Sequence, residues 1–265
     1  MTVLLNSTFE GPDGSPWPSP WDTALVGGTS DGGLFLMANR GVIQAYAGGY
    51  NTARADASGI VTENVLIQGT IRFPGSDPAR ERYIKIWARS GGWSPSSPWN
   101  KSNGYLLLMA MGHSSSVDSE FTIGKYVNGN RTYFDSKFLT GPDSYKTDVD
   151  YNFKFSVNTQ LIQAKYWEFG TTEPDWQLNA TDFSYSSGGA AISLLSGDGT
   201  TGGREARFDN FTVTTLEVPP TLYASDWTNY ITRSTVGSPE QSNNRQFFTY
   251  NGTELVPVDM YVGGP

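Results

Sequence analysis

The 265-residue sequence has no cysteine, one histidine, few basic residues and no long apolar run. The absence of cysteine excludes disulfides, thiolate metal sites and a cysteine nucleophile together, so the fold does not depend on a redox compartment. A single histidine, His113, excludes a histidine-based zinc site by number. It lies in MGHSSSVD with Ser114 and Asp118 nearby, but no nucleophile elbow accompanies it, and a loop histidine is the simpler reading. Lys and Arg total 18 against 26 Asp and Glu, a net charge of -8, and form no cluster. That balance argues against a general nucleic-acid binder and against anionic membrane surfaces. The longest apolar run, Tyr105 to Met111, is far short of the roughly 20 residues that span a bilayer. No GxxxxGK[ST] phosphate loop and no long amphipathic helix appear. The opening MTVLLNSTFEGPDGSPWPSPWDT begins with a strand-like pattern and has no cationic start, apolar core or cleavage site, so no secretory signal is expected.

What is present favours strands and turns. There are 30 Gly and 15 Pro, and aromatics at 14% supply core bulk that modest Leu, Ile and Val content does not. Tyr151, Phe153, Phe155 and Val157 alternate with Asn152, Lys154 and Ser156, the period of a half-buried strand. Val65, Ile67, Gly69, Ile71 and Phe73 alternate likewise. Further strands are expected at 34–37, 42–46, 83–88, 105–111, 121–127, 132–139, 161–167, 190–195 and 208–214. Turn chemistry separates them at Asn128-Gly129-Asn130, Gly141-Pro142-Asp143, 186–189 and 197–203. The expected fold is an all-β, antiparallel jelly-roll sandwich with a short C-terminal appendage. Pro219-Pro220 cannot donate to a sheet ladder and marks the boundary, giving a main domain at 1–216 and a segment at 217–265. In that segment a helical turn is expected around Trp227, Tyr230 and Ile231, then a polar loop at 234–244, then a hairpin about Asn251-Gly252. Some 45 residues rarely form an adequate core alone, so the segment is expected to pack on the main domain, a symmetry mate or another protein, and to serve assembly.

Several local patterns occur together in order. The opening FEGPDG with PWPSPW, the middle IQAKYWEFGTTEPDWQLNATD and the closing RFDNFTV resemble concanavalin A-like, or laminin G-like, jelly rolls of bacterial and phage surface proteins. Lys165, Trp167, Glu173, Pro174 and Trp176 match the K-x-W strand and EP-x-W loop of that pattern, over residues 3–214. The ending YNGTELVPVDMYVGG resembles those of minor tail proteins of phages infecting actinobacteria. The resemblance implies a virion protein of the tail tip, assembled in the host cytoplasm without a leader. Other tail proteins, further copies of the chain in a trimer, and a host cell-surface glycan are the partners it implies.

Four groups of side chains are candidates for chemistry. Laminarinase-type relatives use carboxylates spaced along one strand face. Asp118 with Glu120, and Asp148 with Asp150, share a spacing of two, but solvated loop carboxylates are the commoner reading and no catalytic residue is assigned. Calcium is the candidate ion: Asp209 shares strand parity with Phe211 and Val213, and in carbohydrate-binding jelly rolls of the resembled kind Glu10, Asp13 and Asp209 would contribute oxygens. A carboxylate bonded to backbone, or exposed because Phe208 points inward instead, is the alternative. The long loop 90–103 carries Trp93 and Trp99 beside prolines, rigid platforms suited to sugar faces, and Trp17 and Trp21 in PWPSPW are comparable. The alternative is that these rings cap an open end of the sandwich or bury at a subunit contact. Trp167 and Trp176 are expected in core and corner packing. The function expected is that of a non-enzymatic tail-tip protein contacting carbohydrate; a glycan-active hydrolase or secreted binding module of the same fold is the alternative.

Overall fold

The computed structural model describes residues 1–26, 33–45, 52–75, 81–91, 103–112, 118–196, 204–217, 247–250 and 255–258. The chain divides into two compact units, Met1–Val218 and Pro219–Pro265. In the first, fifteen strands follow the period-two pattern: β1 (Thr2–Ser7), β2 (Trp21–Val26), β3 (Gly33–Leu36), β4 (Gly41–Ala45), β5 (Thr52–Ala57), β6 (Val65–Arg72), β7 (Arg82–Gly91), β8 (Asn103–Met111), β9 (Ser119–Val127), β10 (Asn130–Leu139), β11 (Asp150–Asn158), β12 (Leu161–Glu168), β13 (Leu178–Thr181), β14 (Gly189–Ser196) and β15 (Arg204–Thr215). One antiparallel sheet runs β13-β12-β11-β6-β15-β4-β3, with β1 also pairing β15, and the other runs β10-β9-β8-β7-β14-β5-β2. They stack as an all-β sandwich. In the second unit β16 (Phe247–Tyr250) and β17 (Leu255–Val258) pair antiparallel, Tyr250 opposite Leu255. The expected helical turn at Trp227, the polar loop and the Asn251-Gly252 turn lie outside the described residues.

The core lies between the two sheets. Tyr151, Phe153, Phe155 and Val157 of β11 face inward, as do Ile84 and Ile86 of β7 and Tyr105, Leu107, Met109 and Met111 of β8. Removing each large side chain from water contributes about 1.5–3 kcal/mol, and the chain's aromatics provide much of that surface. Strands β2, β5 and β13 have no counterpart among the expected strands. The reason is plain in β5, TARADA: Ala53, Ala55 and Ala57 face the core, where apolar volume comes from neighbouring rings, and alanine gives no strand signal.

Strict alternation fails at several bulges, in β1, β7, β10 and β15, and two of them bear on the candidate sites. Asp209 sits opposite Thr70 and Thr212 opposite Gln68, three steps on β15 against two on β6, and Asn210 takes a φ of 49°. The extra residue lets both Phe208 and Phe211 enter the core, 6.4 Å apart between ring centroids. Asp209 therefore does not share the inward face of Phe211, a correction to the reading from simple parity. The bulge in β7 takes three steps from Trp87 to Ser90 against two on β14 from Ala191 to Gly189.

On the outer face of the eight-stranded sheet, charge pairing ties loops to strands. Lys154 and Lys165 are directly opposed on β11 and β12, a repulsive arrangement. Glu173 neutralises both, at 2.8 Å from Lys154 Nζ and 2.7 Å from Lys165 Nζ. Lys165 Nζ also donates to Pro174 O at 3.0 Å and lies 4.7 Å from the Trp176 ring centroid. The EP-x-W loop is thus a structural staple, and Trp167 and Trp176 are half-buried corner residues, neither of them in the core.

Asp150 is held by two arginines at once: Arg40 donates to it at 2.7 and 3.1 Å, and Arg72 at 2.9 Å to each oxygen. Burial alone would raise its pKa, but the hydrogen bonds and positive charge of Arg40 and Arg72 outweigh burial and hold the carboxyl below its ordinary range. It is no solvated loop carboxylate. Asp150→Asn leaves two guanidiniums facing each other and is expected to cost about 2–3 kcal/mol at neutral pH, measured by urea unfolding. Because the folded-state pKa is depressed, this contribution is complete above the unfolded value of about 3.9 and disappears as pH falls through the folded value. The stability gap between the two proteins should therefore close in acid.

Candidate functional site

The outer face of the seven-stranded sheet is not a simple solvated surface. Trp87, Leu106, Leu108, Ala110, Tyr126 and Ala191 form a second buried cluster there, with Tyr83 and Tyr133 packed against it. Cross-strand register explains the grouping: Ala191, Trp87, Leu106, Gly124 and Tyr133 stand side by side across β14, β7, β8, β9 and β10. Polar groups buried among them are bonded. Trp87 Nε1 donates to Ser193 Oγ at 2.9 Å, and Thr122 Oγ1 donates to Glu120 Oε1 at 2.8 Å. Lys85 Nζ donates to Tyr126 OH at 3.2 Å and lies 4.9 Å from that ring's centroid. Burial pushes the Tyr83 and Tyr133 hydroxyls well above their ordinary pKa, with Glu81 beside Tyr83 and Glu120 beside Tyr133 adding to it.

Toward the β2 edge this face opens into a cleft of about 390 Å³ lined by Asp22, Thr23, Ala24, Arg54, Asp56, Ser90 and Gly91. Arg54 is its fixed element. The residue is 1% exposed, its guanidinium 5.4 Å from the Trp87 ring centroid. Its Nε donates to Asp56 Oδ2 at 2.8 Å, and its Nη2 donates to Asp56 Oδ1 at 2.6 Å and to Ser90 Oγ at 2.8 Å. Such a bidentate pair fixes the carboxylate plane as well as its charge. Asp22 lies directly opposite Asp56 on β2 and is exposed. The cleft therefore presents carboxylate oxygens, a hydroxyl and the backbone of Gly91, a set that suits a neutral, hydroxyl-rich ligand.

The residues expected from sequence are distributed differently. Trp93, Trp99 and His113 lie outside the described residues. Trp17 and Trp21 are no platforms: they are 5% and 7% exposed, packed 5.2 Å apart between centroids, and donate from Nε1 to Val42 O and Ser7 Oγ. Their apolar bodies close the core beneath the opening loop. Glu120 is buried on the outer face and Asp118, which precedes β9, is half-buried, so neither is a solvated loop acid. Arg54 and Asp56 have no counterpart among the candidates read from sequence; the one local feature is an Arg-x-Asp pair within the alanine-rich TARADA.

The proposed calcium ligands are not gathered into a cage. Ala38 N–H donates to Asp13 Oδ1 at 2.7 Å, and Asn210 N–H donates to Asp209 Oδ1 at 2.8 Å. Burial raises the Asp209 pKa; Asn210 and Arg40 work against that, while Asp150 and Glu10 add to it. Among the described residues no group of three or more His, Cys, Asp or Glu is placed to hold an ion. Calcium takes six or more oxygens, and Glu10, Asp13 and Asp209 do not by themselves form such a set.

No family model and no curated protein matches the sequence. Solved structures match in shape. The carbohydrate-binding module CBM66 of Bacillus subtilis is 13% identical at a TM-score of 0.51, over 74% of this chain and 95% of that one. The exoplasmic/lumenal domain of VIP36, in a form bound to Ca2+ and Man3GlcNAc, is 10% identical at 0.57, over 78% and 89%. The CBM2 module of the evolved Dit of Lactobacillus casei BL23 phage J-1 is 9% identical at 0.54, over 82% and 98%. The fold is a lectin-type jelly roll. At such identities the likeness is one of fold alone. For the ion, excess chelator is expected to leave the melting temperature unchanged; a drop of several degrees on chelation, restored by added calcium, would show an ion held by further oxygens.

Proposed function

We propose that the chain is a non-enzymatic carbohydrate-binding jelly roll of a phage tail tip, a minor tail protein that contacts glycans of the host envelope. The observation that carries the binding reading is the cleft at the β2 edge, where Asp22, the clamped Asp56 and Ser90 offer acceptors and a hydroxyl on a rigid sheet. Carboxylates fixed in this way recognise sugar hydroxyls because each oxygen accepts in a set direction. The non-catalytic part is supported by how the acids are held. Asp56 lies directly opposite Asp22, but both of its oxygens accept from Arg54 and are engaged where a glycosidase nucleophile would be free. Glu120 on β9 is four strand steps from Asp56, about 19 Å at about 4.8 Å per step, against roughly 5–9.5 Å between glycosidase carboxylates. A place on a virion is supported by the resemblance of the chain's ending to minor tail proteins and by a fold shared with a phage Dit module. In this reading residues 217–265 join the chain to further copies of itself, as a trimer, and to other tail proteins.

The binding reading is tested on an array of neutral oligosaccharides followed by calorimetry. Wild-type chain should bind at least one, and Asp22→Ala should weaken that binding about tenfold or more at unchanged melting temperature. Absence of any wild-type binding, or release of sugar from the bound glycan, would overturn it. The assembly reading is tested by light scattering: the full chain should be oligomeric and a chain ending at Val218 a folded monomer. Equal masses per chain in both would remove the C-terminal segment from assembly.

A further inference from the structure

The bulge in β7 decides which side of the sheet Ser90 faces. Tyr83, Lys85 and Trp87 point to the outer face, and Ile84, Ile86 and Ala88 to the core. Unbroken alternation would continue with Arg89 outward and Ser90 inward. The structure does the reverse. Ser90 Oγ meets Arg54 on the outer side, while Arg89 is 3% exposed with its guanidinium 5.8 Å from the ring centroid of the core residue Tyr105. Opposite β8, Ala88 faces Tyr105 and Gly91 faces Asn103, so the extra residue lies between them.

This reversal rests on an unfavourable backbone. Arg89 takes a φ of 49°, which a non-glycine residue adopts only when its surroundings hold it there. Two neighbours make room: a Cβ on Gly188 would stand 2.4 Å from the Arg89 carbonyl carbon, and one on Gly104 would stand 3.0 Å from Arg89 O and Ser90 Cα. The holding force is the side chain. Arg89 Nε donates to Glu63 O and its Nη1 donates to Tyr185 O, each at 2.5 Å, tying the bulge to two separate loops. Charged donors to buried carbonyls are among the stronger hydrogen bonds available, and the Tyr105 ring beside the guanidinium adds to them.

We propose that Arg89 is a positioning residue for the cleft, acting from the core side of the sheet to turn Ser90 and Gly91 toward the ligand. The inference rests on the carbohydrate reading for its consequence but not for its geometry. Arg89 touches no ligand. It sets the direction of the Ser90 hydroxyl, which completes the hydrogen bonding of Arg54 and through it the plane of Asp56.

The test reads both levels. In 15N-edited NMR spectra of the full chain without ligand, Arg89→Met should move the Arg54 Hε resonance, which lies on the far side of the sheet, together with the Gly91 amide of the bulged strand, and Arg89→Lys, which retains a donor, should move them less. With the array oligosaccharide that binds wild type best, Arg89→Met should weaken binding about tenfold, and in a Ser90→Ala background it should have little further effect. If Arg89→Met fails to fold, Gly104→Ala, which presses a methyl on the same backbone, should produce the same pair of shifts. A folded variant with unchanged Arg54 and Gly91 resonances, or additive losses from Arg89→Met and Ser90→Ala, would overturn the assignment. Failure of wild type to bind any oligosaccharide would instead remove the carbohydrate reading, leaving the resonance result to judge the geometry.

Discussion

Packing of one sheet's inner face against the other constrains everything else in this sandwich. Phe153, Phe155, Phe208 and Phe211 on one side and Ile84, Ile86, Leu107 and Met109 on the other are fully removed from water. Interiors at that density leave no room for a register slip, because a shift of one residue would exchange every core side chain for its outward neighbour. The register is shared along both sheets, so each strand's polar set is delivered to an outer face whether or not that face is wet. The pairing of β1 with β15, Thr2 opposite Thr215, follows from the same constraint.

On the seven-stranded sheet the outward set is itself mostly covered. Arg54, Lys85, Glu120 and Ser193 are buried there beside Trp87 and Leu106, so their hydrogen bonds and ring contacts are requirements of stability. Rigidity is the functional consequence. In the proposed carbohydrate reading, a cleft whose guanidinium is locked by Asp56, Ser90 and Trp87 would lose little freedom on binding, the condition under which a few polar contacts suffice for recognition. The eight-stranded sheet uses its outward charges differently, with Glu173 between two lysines and Asp150 between two arginines fastening loops to strands.

Two bulges show where local pattern and tertiary demand part. In β15 the extra residue admits a second phenylalanine to the core and turns Asp209 out; in β7 it sends Arg89 under the sheet and Ser90 above it. Parity in RFDNFTV cannot reveal the first, since Phe208 and Phe211 have opposite parity and either is a plausible core residue. Nor can WARSGG reveal the second. The cost of each bulge is local strain, and what offsets it lies in other strands and loops.

The sequence by itself determined the class of fold. Period-two alternation in YNFKFSV and VLIQGTIRF and turn residues between short apolar runs read directly as antiparallel strands, because these signals are local. It also excluded cysteine chemistry and a histidine metal centre by composition alone. Only the tertiary structure decided the site. Trp17 and Trp21 carry the same residue type as a sugar platform and are core; Arg54 and Asp56, in a stretch with no strand signal, form the cleft. Side-chain type is written locally, but burial and partnership depend on which distant strand lies alongside, and that is settled only when both sheets close on one core.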